Sequence, residues 1–211
     1  MLATLLWPTS GTALVNGHDV TKKENKVKAS IGFVSSEERS FYWRLTGRQN
    51  LKFFASLSSL FGNEREQRIC EVLDRLELTE SADNMVYSYS SGMKQKLAIA
   101  RGLLTDPSLL FLDEPTKSVD PIVSRSIKQF LRHEMVEKEG RTVILTSHRL
   151  EEIEQLCDRF AILKKGKVTF CGTVNDLRNS LSTSLDLLHE KEVRLEDMFV
   201  EHITRGAADD I

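Results

Sequence analysis

The sequence predicts an α/β fold in which helices flank a largely parallel sheet. Three observations carry this expectation. Leu109–Leu112 and Val143–Leu145 are short, unbroken apolar runs, the pattern of strands covered on both faces. Between them lies a segment with helical spacing, opened by Asp120 and Pro121, a favoured cap and a favoured first helical position. Strand and helix patterns then keep alternating to the end of the chain, as parallel sheets with crossover helices require.

The elements follow in order. Met1-Leu-Ala-Thr-Leu-Leu-Trp7 is apolar, but no positive charge precedes it and Pro8 closes it early. It therefore reads as the tail of a buried helix rather than a secretory leader. Thr12–Val15 and His18–Val20 flank Asn16-Gly17, a strong hairpin signal. A lysine-rich loop leads to a short strand, Ile31–Val34. From about Gln49 to Leu76 the apolar residues Leu51, Phe54, Leu57, Leu60, Ile69, Val72, Leu73 and Leu76 recur at helical spacing, and a further helix is expected over about Ser91–Leu104. After Pro121, the residues Val123, Ile127, Phe130, Leu131 and Met135 form an inner stripe, ended by Gly140. Leu150, Ile153 and Cys157 mark the next helix, and Phe160–Leu163 turns at Lys165-Gly166 into Val168–Phe170.

Composition narrows the class of partner. The 211 residues are 40% hydrophobic and 28% charged, ordinary for a globular chain with its own core. A net charge of -2 offers no broad basic field, so nucleic acid is not expected as a partner. Cys70, Cys157 and Cys171 are odd in number and widely spaced, which argues against a disulfide framework or zinc site and for a reducing cytoplasm. No stretch approaches the ~18 apolar residues of a membrane span; any membrane role is expected to come through a partner.

Ligands of open α/β sheets bind beyond the carboxyl ends of the strands, and two predicted strands end in reactive groups. Leu109–Leu112 runs into Asp113-Glu114-Pro115, and Val143–Leu145 into Thr146-Ser147-His148. Adjacent carboxylates at a strand end suit magnesium-assisted phosphate chemistry: Asp113 can serve the Mg²⁺ shell while Glu114 takes a proton from water. His148 can stabilise transferred charge or orient that water. Each alone also fits a plainer role, a helix cap for the acidic pair and a satisfied loop residue for the histidine. Their company weakens the plainer roles. Tyr89-Ser-Ser-Gly-Met-Lys-Gln-Lys96 precedes the Asp113 strand by one helix, and Ser90, Ser91 and Gly92 open that helix, where unpaired N–H groups and the positive dipole end attract anions.

These segments together resemble the ABC transporter ATPase family, over nearly the whole chain. Tyr89–Lys96 is similar to the family's signature motif, usually LSGGQ, and is followed by Ala98-Ile-Ala-Arg101. Leu109–Asp113 with Glu114 resembles the Walker B strand and catalytic glutamate, Ser118-Val-Asp120 the D-loop, and His148 the switch histidine. The resemblance implies a P-loop NTPase-type sheet over residues 1–205, an inserted helical subdomain at about 46–105, the remnant of an antiparallel β subdomain, and a frayed tail at 206–211. It implies ATP and Mg²⁺ as ligands. It also implies a dimer of ATP-binding subunits, in which Ser90, Ser91, Gly92 and Asp120 contact the partner's nucleotide. Asp113 would then serve the metal, with Glu114 and His148 catalytic. A separate membrane permease is the implied second partner, holding the subunit at the cytoplasmic face of the cell membrane.

Two departures from the pattern stand out. The glycine-rich loop G-x-x-x-x-G-K-S/T is absent from these 211 residues, and Met1–Leu6 resembles the helix that should follow it, so the phosphate-binding amides and lysine are expected upstream. Without three charge-assisted hydrogen bonds, nucleotide binding is expected to lose about 5–9 kcal/mol. Second, the strand Ile31–Val34 leads into Ser35-Ser-Glu-Glu-Arg-Ser40, with Ser36 where the family usually has a glutamine; Ser36, Glu37 and Glu38 all remain candidates for its role. Leu195-Glu-Asp-Met-Phe199 resembles the closing helix of exporter subunits. The loop Ser40-Phe-Tyr-Trp-Arg-Leu-Thr-Gly47 carries three consecutive aromatics, which neither helix nor strand periodicity can turn to one core. Trp43 and Arg44 are the expected surface contacts for the permease.

Overall fold

Asn16 and Gly17 adopt φ of 49° and 74°, the left-handed pair that a type I′ turn demands, and so join β1 (Leu14–Val15) to β2 (His18–Asp19) as an antiparallel hairpin. The computed structural model describes residues 1–35, 41–185 and 195–208. Two compact units make up the chain, Met1–Thr146 and Ser147–Ile211.

In the first unit, α1 (Glu24–Ser30) delivers the chain into β3 (Ile31–Ser35). This strand pairs in parallel with β4 (Leu109–Asp113), which pairs in parallel with β5 (Thr142–Thr146), so β4 is central. Its residues Leu109–Leu112 are all buried, as a strand covered on both faces should be. The expectation that Val143–Leu145 is equally buried is corrected. Among the described residues β5 has one strand neighbour, β4; Val143 and Leu145 pack half-buried on the core, while Ile144 on the other face is 42% exposed.

Between β3 and β4 lie α2 (Gly47–Leu57), α3 (Gly62–Arg75) and α4 (Ser91–Leu103). Thr46 and Gln49 form a reciprocal capping box that starts α2, and Ser59, with φ of 62°, breaks the helical run before α3. Of the residues predicted from spacing, Leu51, Ile69, Val72, Leu73 and Leu76 are buried in one core with Leu97, Leu103, Leu110 and Leu112, and Phe54 and Leu60 pack partly buried against it. Leu57, expected on the same face, is instead 68% exposed at the last residue of α2. α4 lies on β3 almost backbone to backbone. A Cβ on Gly32 would come within 2.3 Å of the Gly102 carbonyl oxygen, and one on Gly102 within 2.8 Å of Val34.

α5 (Pro121–Gln129) begins under the Asp120 cap. It passes at Phe130 into a π-helix, Phe130–Lys138, rather than continuing as the single α-helix the stripe implied. Ile127, Leu131 and Met135 are nonetheless buried, and Gly140 ends the element at φ 67°. A second correction concerns the start. Met1–Leu6 is not helical but a turn closed by Thr4 N–H donating to the Met1 carbonyl, and Leu2, Leu5, Leu6 and Trp7 are exposed. Thr4 holds φ of 57°, a left-handed conformation that no α-helix contains.

The second unit comprises α6 (Leu150–Leu156), the antiparallel pair β6 (Phe160–Lys164) and β7 (Lys167–Gly172), α7 (Val174–Leu185) and α8 (Leu195–Ala208). Lys165 and Gly166 repeat the left-handed turn chemistry, at 49° and 76°. Ile162, Leu177, Leu181, Leu195 and Met198 form its core. Of the expected tail at 206–211, residues 206–208 continue α8, and 209–211 lie outside the described residues.

Candidate functional site

Parallel pairing brings the carboxyl ends of all three core strands level. Ser35 pairs with Asp113, and Asp113 with Thr146. Asp113 is the first residue of β4 to leave the core and reach solvent. The Thr146 hydroxyl donates to Asp113 Oδ1 at 2.6 Å, and the Glu114 N–H donates to both the Thr146 carbonyl at 3.1 Å and its hydroxyl at 3.2 Å. One side chain of β5 thereby orients the carboxylate and fixes the chain where it turns off the sheet.

That turn is unusual. Glu114 has φ of 47° although a proline follows it, a backbone region that costs a non-glycine residue about 1–3 kcal/mol and clusters at functional sites. Its carboxylate is half-buried and ion-paired with Lys117 at 2.7 Å. The same hydrogen bond raises the Lys117 ammonium above its ordinary pKa, with Asp113 contributing at longer range. Ser118 then takes φ of 58°, and Asp120 caps α5 by accepting from Ile122 N–H at 3.1 Å and Val123 N–H at 3.0 Å.

The Ser90–Gly92 segment is built from both sides. Tyr89 is buried and donates its hydroxyl to the Ser81 carbonyl at 2.7 Å, which anchors the approach to α4; burial raises its pKa. Ser90 is the N-cap and accepts from Met93 N–H at 3.2 Å. The N–H groups of Ser91 and Gly92 precede the first intrahelical bond. Gly92 rests against α5, so the helix N-terminus and the residues after Asp120 share one unit with Asp113 and Glu114.

His148 is the second residue of the second unit and is exposed. Its turn is held by Ser147, whose hydroxyl donates to the buried Glu152 carboxylate at 2.7 Å and accepts from Arg149 N–H at 3.0 Å. Ser36, Glu37 and Glu38 lie outside the described residues.

Known proteins are similar to this chain in sequence and fold. The sequence profile of the ABC transporter family matches residues 1–117. The chain belongs to the ABC transporter family. It is 32% identical over 206 residues to the ABC transporter ATP-binding protein NatA of Bacillus subtilis, covering 98% of this chain and 79% of NatA. It is 37% identical over 198 residues to the daunorubicin/doxorubicin resistance ATP-binding protein DrrA of Streptomyces peucetius, covering 93% of this chain and 59% of DrrA. The chain thus spans only part of the longer relatives. Among solved structures, an ATP-binding subunit of an ABC transporter superposes with a TM-score of 0.76 at 25% identity, covering 96% of this chain and 80% of the other. CbiO1 of Clostridium perfringens, part of the ABC transporter complex cbiONQ, does so with a TM-score of 0.72 at 25% identity, over 89% and 78%.

The donor set suits ATP with a magnesium ion. Among the described residues no cluster of three or more His, Cys, Asp or Glu side chains could hold a metal alone. Mg²⁺, however, is commonly held by one or two carboxylates plus substrate phosphates and water, and Asp113 offers one solvent-facing carboxylate where a sheet of this ABC transporter family fold takes its ligand. Sequence reasoning placed Thr146 at a strand end without giving it a role, and missed Lys117. A polar residue paired in register with Asp113 was the available signal for the first, and a lysine three residues past Glu114 for the second.

Proposed function

We propose that this chain is an ATP-binding, ATP-hydrolysing subunit of an ABC transporter, coupled through a separate permease to substrate movement, in the direction of export. The observation that carries the reading is the level end of the parallel sheet, where Thr146 orients Asp113 and pins the Glu114 turn. Asp113 would hold the ion, which neutralises charge on the phosphates. Glu114 acts as general base, accepting a proton from the water that attacks the γ-phosphate. Carboxylate bases of this kind contribute about 10²–10⁴-fold. Ser90, Ser91, Gly92 and Asp120 contact the nucleotide of a second ATP-binding subunit, and His148 contacts the transferred phosphate or its water. The resistance role named for DrrA supports export. Among the described residues no helix is long and apolar enough to cross a membrane, consistent with peripheral attachment at the cytoplasmic face through the permease.

Trp43 carries the permease proposal. Phe41 is buried in the main core, whereas Tyr42 and Trp43 are about half exposed. The fully buried Asn50 side chain holds that display, accepting from Tyr42 N–H at 2.9 Å and donating to the Tyr42 and Thr46 carbonyls at 3.0 Å. Exposed aromatics on a fixed loop suit an interface anchor.

One observation favours a second reading. The 211 residues contain no G-x-x-x-x-G-K-S/T, yet the N-terminus of α4 is formed, with Ser90 accepting from Met93 N–H. By themselves they would then be non-catalytic and engage only a nucleotide held by a second subunit. Phosphate release by the purified 211-residue chain tests this. Negligible turnover is expected alone, and turnover once a phosphate-loop segment from a related subunit is joined ahead of it. Robust turnover by the unextended chain, abolished by Glu114→Gln, would overturn the requirement for that loop.

A further inference from the structure

Gly92 has a second constraint besides its place at a helix N-terminus. It is buried, and a Cβ built on it would lie 2.8 Å from Val123 Cγ1 and 3.2 Å from both Cβ and Cγ2 of the same residue. Contacts under 3.0 Å require something to move, and Val123 cannot yield by rotation. It is β-branched in a helix, where one χ1 rotamer dominates. Its backbone is also tied, because its N–H donates to Asp120 at 3.0 Å. Asp120 in turn follows Ser118, held at φ 58°. A continuous mechanical path therefore runs from the first turn of α4, through one valine side chain, to the cap of α5.

We infer that Val123 is a positioning residue: wedged against Gly92, it fixes the N-terminus of α4 to the Ser118–Asp120 loop, so that these two surfaces move as one piece. This deepens the reading of Ser90–Gly92 and Asp120 as nucleotide-contacting groups and rests on it for its functional meaning. On this inference, glycine at 92 is required by Val123 as much as by any phosphate. Enlarging residue 92 displaces the Asp120 cap, and shrinking residue 123 releases the strain.

Amide hydrogen exchange on the ¹⁵N-labelled 211-residue chain tests the coupling without nucleotide, so it can fail while the ATP reading stands, and the reverse. Gly92→Ala is expected to speed exchange at Met93, Ile122 and Val123 by about tenfold or more, the scale of an overpacked contact, with core amides of β4 unchanged. Gly92→Ala combined with Val123→Ala is expected to return those three amides to within about threefold of the parent. General destabilisation would instead accelerate β4 with them. Unchanged exchange at Ile122 and Val123 in Gly92→Ala, or a double variant no better than the single, overturns the inference. If Gly92→Ala does not fold, a folded double variant supports it and an unfolded one refutes it.

Discussion

Replacing Thr146 by valine removes one hydroxyl and keeps the shape and branching of the side chain. The hydroxyl makes two contacts, donating to Asp113 at 2.6 Å and accepting from Glu114 N–H at 3.2 Å. The second loss is partly covered, since Glu114 N–H also donates to the Thr146 carbonyl at 3.1 Å. The first involves a charged acceptor, a class worth about 1.5–3 kcal/mol. Asp113 and Thr146 are both exposed, however, so water replaces much of what is lost, and the expected destabilisation is about 1 kcal/mol. For a unit of this size that shifts Tm by about 2–4 °C. Trp7 and Trp43, the two tryptophans of the chain, both lie in the first unit, so urea titration followed by tryptophan fluorescence reads that unit alone. Thr146→Ser keeps the hydroxyl and is expected to lose less than half as much. If Thr146→Val matches the parent, or Thr146→Ser is equally damaging, the hydroxyl does not organise the strand end.

Three further outcomes are expected. The Asp106 carboxyl is held below its ordinary value by hydrogen bonding to Arg141, with Arg68 adding to the effect. Its contribution is therefore complete above the ordinary aspartate range and is lost as pH falls through the lowered value; Asp106→Asn, which tolerates the φ of 53° at that position, should be less stable at neutral pH, with the gap narrowing as pH falls below the ordinary aspartate range in parallel urea titrations. In a protein where a phosphate loop precedes these residues, Glu114→Gln should cut ATP turnover by about 10²–10⁴-fold while leaving nucleotide-dependent dimers visible on size exclusion; near-parental turnover would remove Glu114 as the base. Trp43→Ala should weaken co-purification with the permease while moving Tm by only about 2–4 °C, because the ring is half exposed and its cationic neighbour Lys94 is 5.7 Å from its centroid; a large Tm loss with intact permease binding would return the loop to the core.

Elements with local determinants were legible in the sequence. Asn16-Gly17 and Lys165-Gly166 announce left-handed turns, Asp120-Pro121 announces a helix start, and Leu109–Leu112 announces a strand with no exposed face. All of these take the predicted form. The order of Ser90–Gly92, Asp113 and Glu114 along the chain was legible too, since each sits where an element begins or ends. What escaped depends on neighbours remote in sequence. Exposure of Ile144 follows from the core packing on only one face of β5, where Val143 and Leu145 lie, which an apolar triplet cannot reveal. The ion pair of Lys117 with Glu114 needs the left-handed turn at Glu114, which a residue before proline gives no reason to expect. The π-helix left a trace: Val123, Ile127, Leu131 and Met135 repeat every fourth residue, a period that runs ahead of the 3.6 of an α-helix.

The backbone-close packing of Gly32 on Gly102 also bears on the order in which the molecule is assembled. β3 emerges early but pairs with β4, Ile31 meeting Leu109, so all of α2, α3 and α4 must be made before that ladder can close. Closing so long a loop is entropically slow, while contacts within the three helices are nearer in sequence. The glycine pair offers β3 a docking place on α4 that needs no strand partner and is available a few residues before β4 is complete. A folding nucleus of α4 with β3 then presents β4 with a preformed edge. In kinetic terms, Gly32→Ala and Gly102→Ala should slow refolding, whereas changes at β5, the last strand of the parallel sheet to arrive, should chiefly speed unfolding.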